Sequence, residues 1–212
     1  RKEKMNKKYS KKEEEFSGIS DMLEGRHHVI PIMSNDDEEA AEKVDIPQIL
    51  PILTLRSSVL FPGSITPITV GREKSMKLVR EVEGVGGILG AVLQKEPEVE
   101  QPGPDDLYRI GTAARILKVL EMPNGNLTVI LHGLEKVEIS EFVVSEPYFK
   151  ASVATLKDSA PDQNNIEFEA LVDSIKDVAL NIINVSPQMP KEATFAIKNI
   201  DSKRGIINFI CS

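Results

Sequence analysis

The 212-residue sequence has no tryptophan, three tyrosines, three histidines and a single cysteine. Cys211 has no partner for an internal disulfide, so the fold must rest on apolar burial, and a free thiol suits a reducing compartment. Long apolar runs are missing too. No window approaches the roughly 18 consecutive apolar residues of a membrane-spanning helix, and the basic start is not followed by the apolar stretch of a secretory signal. Acidic residues close behind that start exclude the acid-poor composition of a mitochondrial transit peptide. Nor is there an excess of positive charge. Lys and Arg number 26 against 33 Asp and Glu, a net charge of −7, which repels polyanions at long range and argues against nucleic acid or an anionic membrane as partner. A soluble, cytoplasmic chain with no membrane contact is expected.

Catalytic sets are also lacking. His27 and His28 are adjacent and point apart on any regular element, and His132 is expected to end a strand before Gly133. With one cysteine, no spacing suits a zinc site. No Gly-x-Ser-x-Gly elbow occurs. Gly71-Arg72-Glu73-Lys74-Ser75 sets a Lys-Ser pair after a glycine, but a phosphate loop needs a second glycine directly before the lysine. Glu73 stands there and would repel the anion, so the segment reads as a helix start. The residues therefore predict a binding or structural module, with no catalytic, cofactor-binding or metal-ligating residue.

What is present is punctuated. Residues 1–45 are polar and charged, from Lys2 and Lys4 to the acidic run Asp36-Asp37-Glu38-Glu39, and read as a disordered tail. The apolar island His28 to Met33 within it is a candidate docking strand. From Ile46 to 158 the pattern is β-rich. Ile49 to Leu55 is a strand that Pro51 should confine to an edge or an irregular pairing. Ile65 to Val70 follows the turn Phe61-Pro62-Gly63-Ser64, and Met76, Val79 and Val82 mark one short helix. Ile88 to Gln94 is apolar enough to be buried on both faces. The segment Glu96 to Asp106 holds three prolines and is irregular. Tyr108 to Met122 and Leu127 to Leu131 flank Asn124-Gly125, a hairpin signal if both residues take positive φ. Val137 to Val144 and Tyr148 to Leu156 complete a set suited to a small closed or half-closed β-structure.

The period changes over 159–212. Phe168, Leu171, Ile175, Val178 and Ile182 form one apolar helix stripe, and helices are expected from Pro190 to Asn199 and from near Ser202. No partner for the stripe is visible, which implies packing on residues beyond Ser212.

Several segments, in order, resemble the N-terminal domain of bacterial Lon-type ATP-dependent proteases. They are Leu50 to Arg56 with Val59-Leu60-Phe61-Pro62-Gly63, Val70-Gly71-Arg72-Glu73-Lys74-Ser75, Gln94-Lys95, Pro102-Gly103-Pro104-Asp105-Asp106-Leu107-Tyr108-Arg109-Ile110-Gly111-Thr112, and Leu131-His132-Gly133-Leu134. Ser57 and Ser58 depart from the family's acidic residue and valine, Lys136 is only near its basic position, and Arg204-Gly205 puts a glycine in the last helical segment. The resemblance covers about Ile46 to Ser212. It implies an α+β fold, a small PUA-like β-barrel or half-barrel with one short helix followed by the start of a helical bundle. Arg56, Phe61, Pro62, Gly63, Gly71, Arg72, Tyr108, Gly111 and Gly133 are the family-motif residues, expected to be structural. Gly63, Gly71 and Gly111 would supply positive φ or close backbone approach, and Arg56 would lock the turn at Phe61-Pro62-Gly63.

By the same resemblance, the parent is an ATP- and Mg-dependent Ser-Lys endopeptidase, a homohexamer that degrades misfolded and selected regulatory proteins. This chain, which lacks those catalytic modules, would capture unfolded or degron-bearing polypeptide and contribute assembly contacts with other Lon subunits. The Pro-rich loop and the edge near Pro51 are the candidate capture elements. A stand-alone adaptor with this domain, or a PUA-like RNA-binding module, are the alternatives; the acidic balance argues against the latter.

Overall fold

The computed structural model describes residues 32–33, 44–83, 87–157, 165–187, 192–200 and 202–211. The expected disordered tail lies outside these residues, His27 and His28 included, except at its end and at one short strand. That strand, β1 (Ile32–Met33), pairs antiparallel with β3 (Ser64–Val70), as a docking strand would.

The other strands are β2 (Ile49–Leu55), β4 (Ile88–Leu93), β5 (Ile110–Glu121), β6 (Leu127–Val144) and β7 (Lys150–Thr155). The sheet runs β1-β3-β6-β5-β4-β2-β7, and β7 pairs again with β6, so β2, β4, β5, β6 and β7 close on themselves. All neighbours are antiparallel except β2 and β4. With the helices described below, this is the α+β architecture the sequence implied.

Two strand expectations need correction. β6 is one continuous strand, where the sequence suggested separate runs ending at Leu131 and restarting at Val137. Its register against β5 slips between Ala113 and Ala114, which face Glu135 and Gly133. The unpaired Leu134 makes this a bulge, and it breaks the period-2 pattern that a sequence reading follows. His132 therefore sits within a strand and does not end one. Nor is β2 an edge. Gln48 C=O and Ile52 N–H bond to the β7 side, while Ile52 to Leu55 register with β4. Pro51 stands where the strand exchanges one neighbour for the other. By alternation its imide nitrogen faces β4 before that pairing begins, so no ladder bond is lost.

The hairpin between β5 and β6 also differs in detail. Met122 and Asn126 bond across a three-residue loop in which Gly125 alone has positive φ. This is a type I turn closed by a left-handed glycine, so Asn124 keeps a negative φ and its side chain accepts from Asn126 N–H instead.

Helix α1 (Glu73–Glu83) lays Leu78, Val79 and Val82 on the sheet. β4 is buried on both faces, as expected. Leu89 and Ala91 join the core under α1, and Val92 joins a second core with Leu50, Ile52, Val137, Ile139 and Ala151. Each fully buried Leu or Val contributes about 1.5–3 kcal/mol, so both cores are substantial.

Beyond the sheet, α2 (Ile166–Val185), α3 (Glu192–Asn199) and α4 (Lys203–Cys211) share a third core around Val172, Ile183, Ile197 and Phe209. Asn165 caps α2 through Phe168 N–H, and Ser202 Oγ accepts from Gly205 N–H at the start of α4. Most of the expected stripe lacks cover among the described residues, as its missing partner implied. Leu171, Ile175, Val178 and Ile182 are exposed, and α2 turns Val172 and Ile183 inward. Among the described residues no helix is long and apolar enough to cross a membrane.

Candidate functional site

Phe61, Pro62, Gly63, Gly111 and Gly133, scattered in sequence, meet near the start of β3, while Gly71 and Arg72 follow its other end. The turn Phe61-Pro62-Gly63 crosses β6 at the bulge. Gly63, with φ of 77°, donates its N–H to Gly133 C=O at 2.9 Å. Gly133 in turn has no room for a side chain, since a Cβ there would lie 2.2 Å from Phe61 C=O. Ser64 Oγ donates to that same carbonyl at 2.7 Å, and buried Thr112 Oγ1 donates to Leu60 C=O at 2.6 Å. A Cβ on Gly111 would meet Ala91 C=O at 2.6 Å, so β4 and β5 also approach closely.

The turn is thus held by backbone and hydroxyl groups. Arg56 does not lock it: its side chain is exposed and makes no hydrogen bond to the turn. Nor does Gly71 have positive φ; it packs against Asn126, whose Oδ1 would lie 3.0 Å from an added Cβ. Thr112 and Ser64 went unsingled in the sequence, although a hydroxyl beside a strand-end glycine is a fair signal for a carbonyl clamp.

A hollow of about 660 Å³ opens beside this assembly, between the Leu55–Leu60 segment, the end of β4 and the Pro104–Gly111 segment. Leu55, Leu60, Leu93 and Leu107 floor it. Val59, Tyr108 and Ile110 stand around it 44%, 49% and 54% exposed, an apolar rim on water. Its walls are braced. Lys95 Nζ donates to Asp105 C=O, Arg109 Nη1 to Ser140 C=O, and Tyr108 N–H to Leu93 C=O. Pro104 to Asp106 form a single 3₁₀ turn, with the Asp106 carboxylate accepting from Gly103 N–H. The Pro-rich segment therefore does contribute one wall. The lining is mostly apolar, with Lys95, Asp105 and Arg109 as its charged members.

Arg72 serves the same segment from behind. Its Nη2 donates to Gln94 Oε1 at 2.6 Å and to Val99 C=O at 3.1 Å, while Gln94 Nε2 donates to Glu96 and Val99 C=O. Gln94 is 1% exposed, a polar hub at the end of an apolar strand. Burial lowers the Arg72 pKa from its ordinary value; the nearby Arg56 charge lowers it further and Glu100 opposes the shift. Sequence reading placed Gln94 in a motif but missed that it anchors the following loop.

Residues 49–212 match the family model of the ATP-dependent protease La (LON) substrate-binding domain. The chain is 50% identical over 184 residues to a Lon protease of Flavobacterium johnsoniae, covering 87% of the chain and 22% of that protein. It is 39% identical over 184 residues to a Lon protease of Cytophaga hutchinsonii, covering 87% and 23%. It thus spans about a fifth of the length of these curated relatives. The N-terminal domain of Mycobacterium avium complex Lon protease shares the fold, with a TM-score of 0.53 at 17% identity over 74% of this chain and 78% of that one. With a match along most of its length and half of 184 aligned residues shared with one relative, the chain belongs to the Lon substrate-binding domain family.

Proposed function

We propose that this chain is the polypeptide-capturing, assembly-supporting part of an ATP-dependent Lon protease working in the cytoplasm, and that extended apolar segments of unfolded or degron-bearing proteins dock in the hollow rimmed by Val59, Tyr108 and Ile110. The observation that carries the reading is that exposed apolar rim, set on a braced floor in a family described by substrate binding. Apolar and aromatic groups around a preformed hollow accept side chains of many sequences, as quality control requires. The edge near Pro51 drops out as a capture element, because β7 and β4 occupy both sides of β2. The relatives' name supports the rest of the reading. ATP, Mg, the Ser-Lys dyad and the homohexamer belong to the parent machine, which would degrade misfolded and selected regulatory proteins. The chain would divide into a β-rich capture body over 46–158 and a helical body over 159–212, with the motif residues in structural roles.

Titrating a fluorescently labelled, permanently unfolded protein with the chain tests capture. Saturable binding is expected, weakened about tenfold by Tyr108→Ala combined with Ile110→Ser, on the scale of losing one aromatic hot spot. Binding that does not saturate at high micromolar concentration, or that ignores the double substitution, overturns the reading.

A further inference from the structure

A second hollow, about 480 Å³, lies between the C-terminal end of β2, β3 and the start of α1. Its lining contains Arg56, Ser57, Ser58, Thr69, Arg72 and Ser75, and no carboxylate. Ser75 is the informative member. It is only 7% exposed, it lines this hollow, and its hydroxyl makes no hydrogen bond among the described residues. A helical serine commonly returns its hydroxyl to the carbonyl one turn back, as Ser174 does to Ala170. Ser75 instead faces the hollow.

The backbone beside it is equally unspent. The first helical bond of α1 runs from Met76 N–H to Arg72 C=O. No side chain caps Glu73, Lys74 or Ser75 N–H among the described residues, so the positive end of an 11-residue helix is left open, and Ser75 is the one of the three that lines the hollow. Arg72 commits Nη2 to Gln94 and Val99, leaving its other nitrogens for the hollow. Arg56 adds a second guanidinium, near enough that its charge makes Arg72 a weaker base. Glu100 faces Arg72 from the loop side and Glu73 is exposed at the helix start, but neither lines the hollow.

We propose that this hollow is a binding site for a small tetrahedral oxyanion of the phosphate class, held by the Ser75 hydroxyl, the first-turn amides of α1 and the guanidiniums of Arg56 and Arg72. Helix N-termini favour anions through orphan N–H groups and the macrodipole, and an arginine fork supplies paired donors to neighbouring oxygens. The site differs from a nucleotide loop. No glycine precedes Lys74, and the Lys74 ammonium is drawn off to the Glu146 carboxylate at 2.5 Å. The donors suit one phosphate-sized group. Because Leu55 lines both hollows, an anion here would also steady the segment that carries Val59 into the capture groove.

The test is a titration of the 212-residue chain with inorganic phosphate at constant ionic strength, followed by amide NMR, with chloride and acetate series alongside. Saturable shifts centred on Glu73, Lys74 and Ser75 are expected. Arg56→Gln and Ser75→Ala should each weaken them about tenfold, the scale of one charge-assisted hydrogen bond. Unchanged amide shifts along β5 and β6 would verify the fold of each variant, and Arg56→Gln alters an exposed side chain, so it keeps the test decisive if Ser75→Ala unfolds. Shifts that never saturate, that acetate or chloride reproduces, or that persist in the variants overturn the site.

Discussion

The closed sheet and the helices that follow it treat their apolar residues very differently. In the sheet, Leu89, Val92, Val129 and Leu131 are wholly buried, and two buried polar side chains beside them are tied down: Thr112 on Leu60, Gln94 on Arg72 and its own loop. Along α2 and α3, Val185 and Phe195 are 80% and 73% exposed, and Leu171, Ile175, Val178 and Ile182 repeat at four and three residues on an open face. That spacing is the seam of a helix that packs on other helices. The five strands that close satisfy one another's edges, and only β3 with its short partner β1 lies outside that closure. The helical part shares one small core and touches the sheet where Asn208 Nδ2 approaches Pro62 C=O at 3.4 Å. The two parts should therefore answer perturbation separately.

The sharpest way to break that contrast is Gly133→Ala. The added methyl would lie 2.2 Å from a backbone carbonyl, which cannot swing aside as a flexible side chain would. A loss of about 3 kcal/mol is expected, from overpacking and displacement of the Phe61-Pro62-Gly63 turn. Hydrogen exchange should show lower protection across β5 and β6 while α2 amides keep theirs. Equal loss in both parts would mean that they unfold as one unit. Val172→Ala is the reciprocal experiment. It empties part of the small helical core at a cost of about 2 kcal/mol, and the loss should fall on α2 to α4, leaving sheet amides protected.

A smaller effect reports on how α1 is fastened to the sheet. Tyr148 donates its hydroxyl to Glu81 Oε2 at 2.6 Å, and its pKa is pushed up to about 12 by that hydrogen bond first, then by burial and the Glu81 charge. An unfolded tyrosine titrates near 10, so the folded state holds the phenolic proton more tightly. The stability this contributes is complete below about pH 10 and is lost as pH rises through about 12. Wild type should exceed Tyr148→Phe by about 1 kcal/mol in urea unfolding at neutral pH, and the gap should shrink above pH 10. A gap that is flat to pH 12 would show that the bond contributes nothing.

Local signals were the legible ones. Met76, Val79 and Val82 marked α1, the apolar run from Ile88 marked a strand buried on both faces, and Gly125 marked a turn. What the sequence hid is decided through space. β6 runs on through a bulge because the Phe61 carbonyl needs room at Gly133, a contact across 72 positions that no periodicity records. Pro51 is tolerated inside a closed sheet because the strand changes neighbours there, which depends on where β4 and β7 lie. The stripe of α2 was legible as an apolar face without a partner, but the inward turn of Val172 and Ile183 was not, because a 3.6-residue period identifies an apolar face and not what covers it. The capture groove was half legible. Val59, Tyr108, Ile110 and Gly111 all stood in motifs, but they form a groove only when two segments some 50 residues apart become opposite walls.

Arg56 gives the smallest expected effect and the most pointed one. From sequence, an arginine in a family-like motif six residues before a Pro-Gly turn is an attractive brace, with a planar fork suited to several carbonyls. In the structure those carbonyls are already taken: Ser64 serves Phe61, and Thr112 serves Leu60. Arg56 is exposed, and its like charge helps lower the Arg72 pKa. Removing it deletes no bond and relieves a repulsion. In phosphate-free buffer, Arg56→Ala should shift thermal unfolding by no more than about 0.5 kcal/mol in either direction, as surface substitutions do. A clear stabilisation would show that the two guanidiniums repel each other unrelieved when the hollow is empty. A loss above about 1 kcal/mol, on the scale of a lost hydrogen bond, would restore Arg56 as the brace of the turn and remove the contrast between a sheet held from within and the charged hollow on its flank.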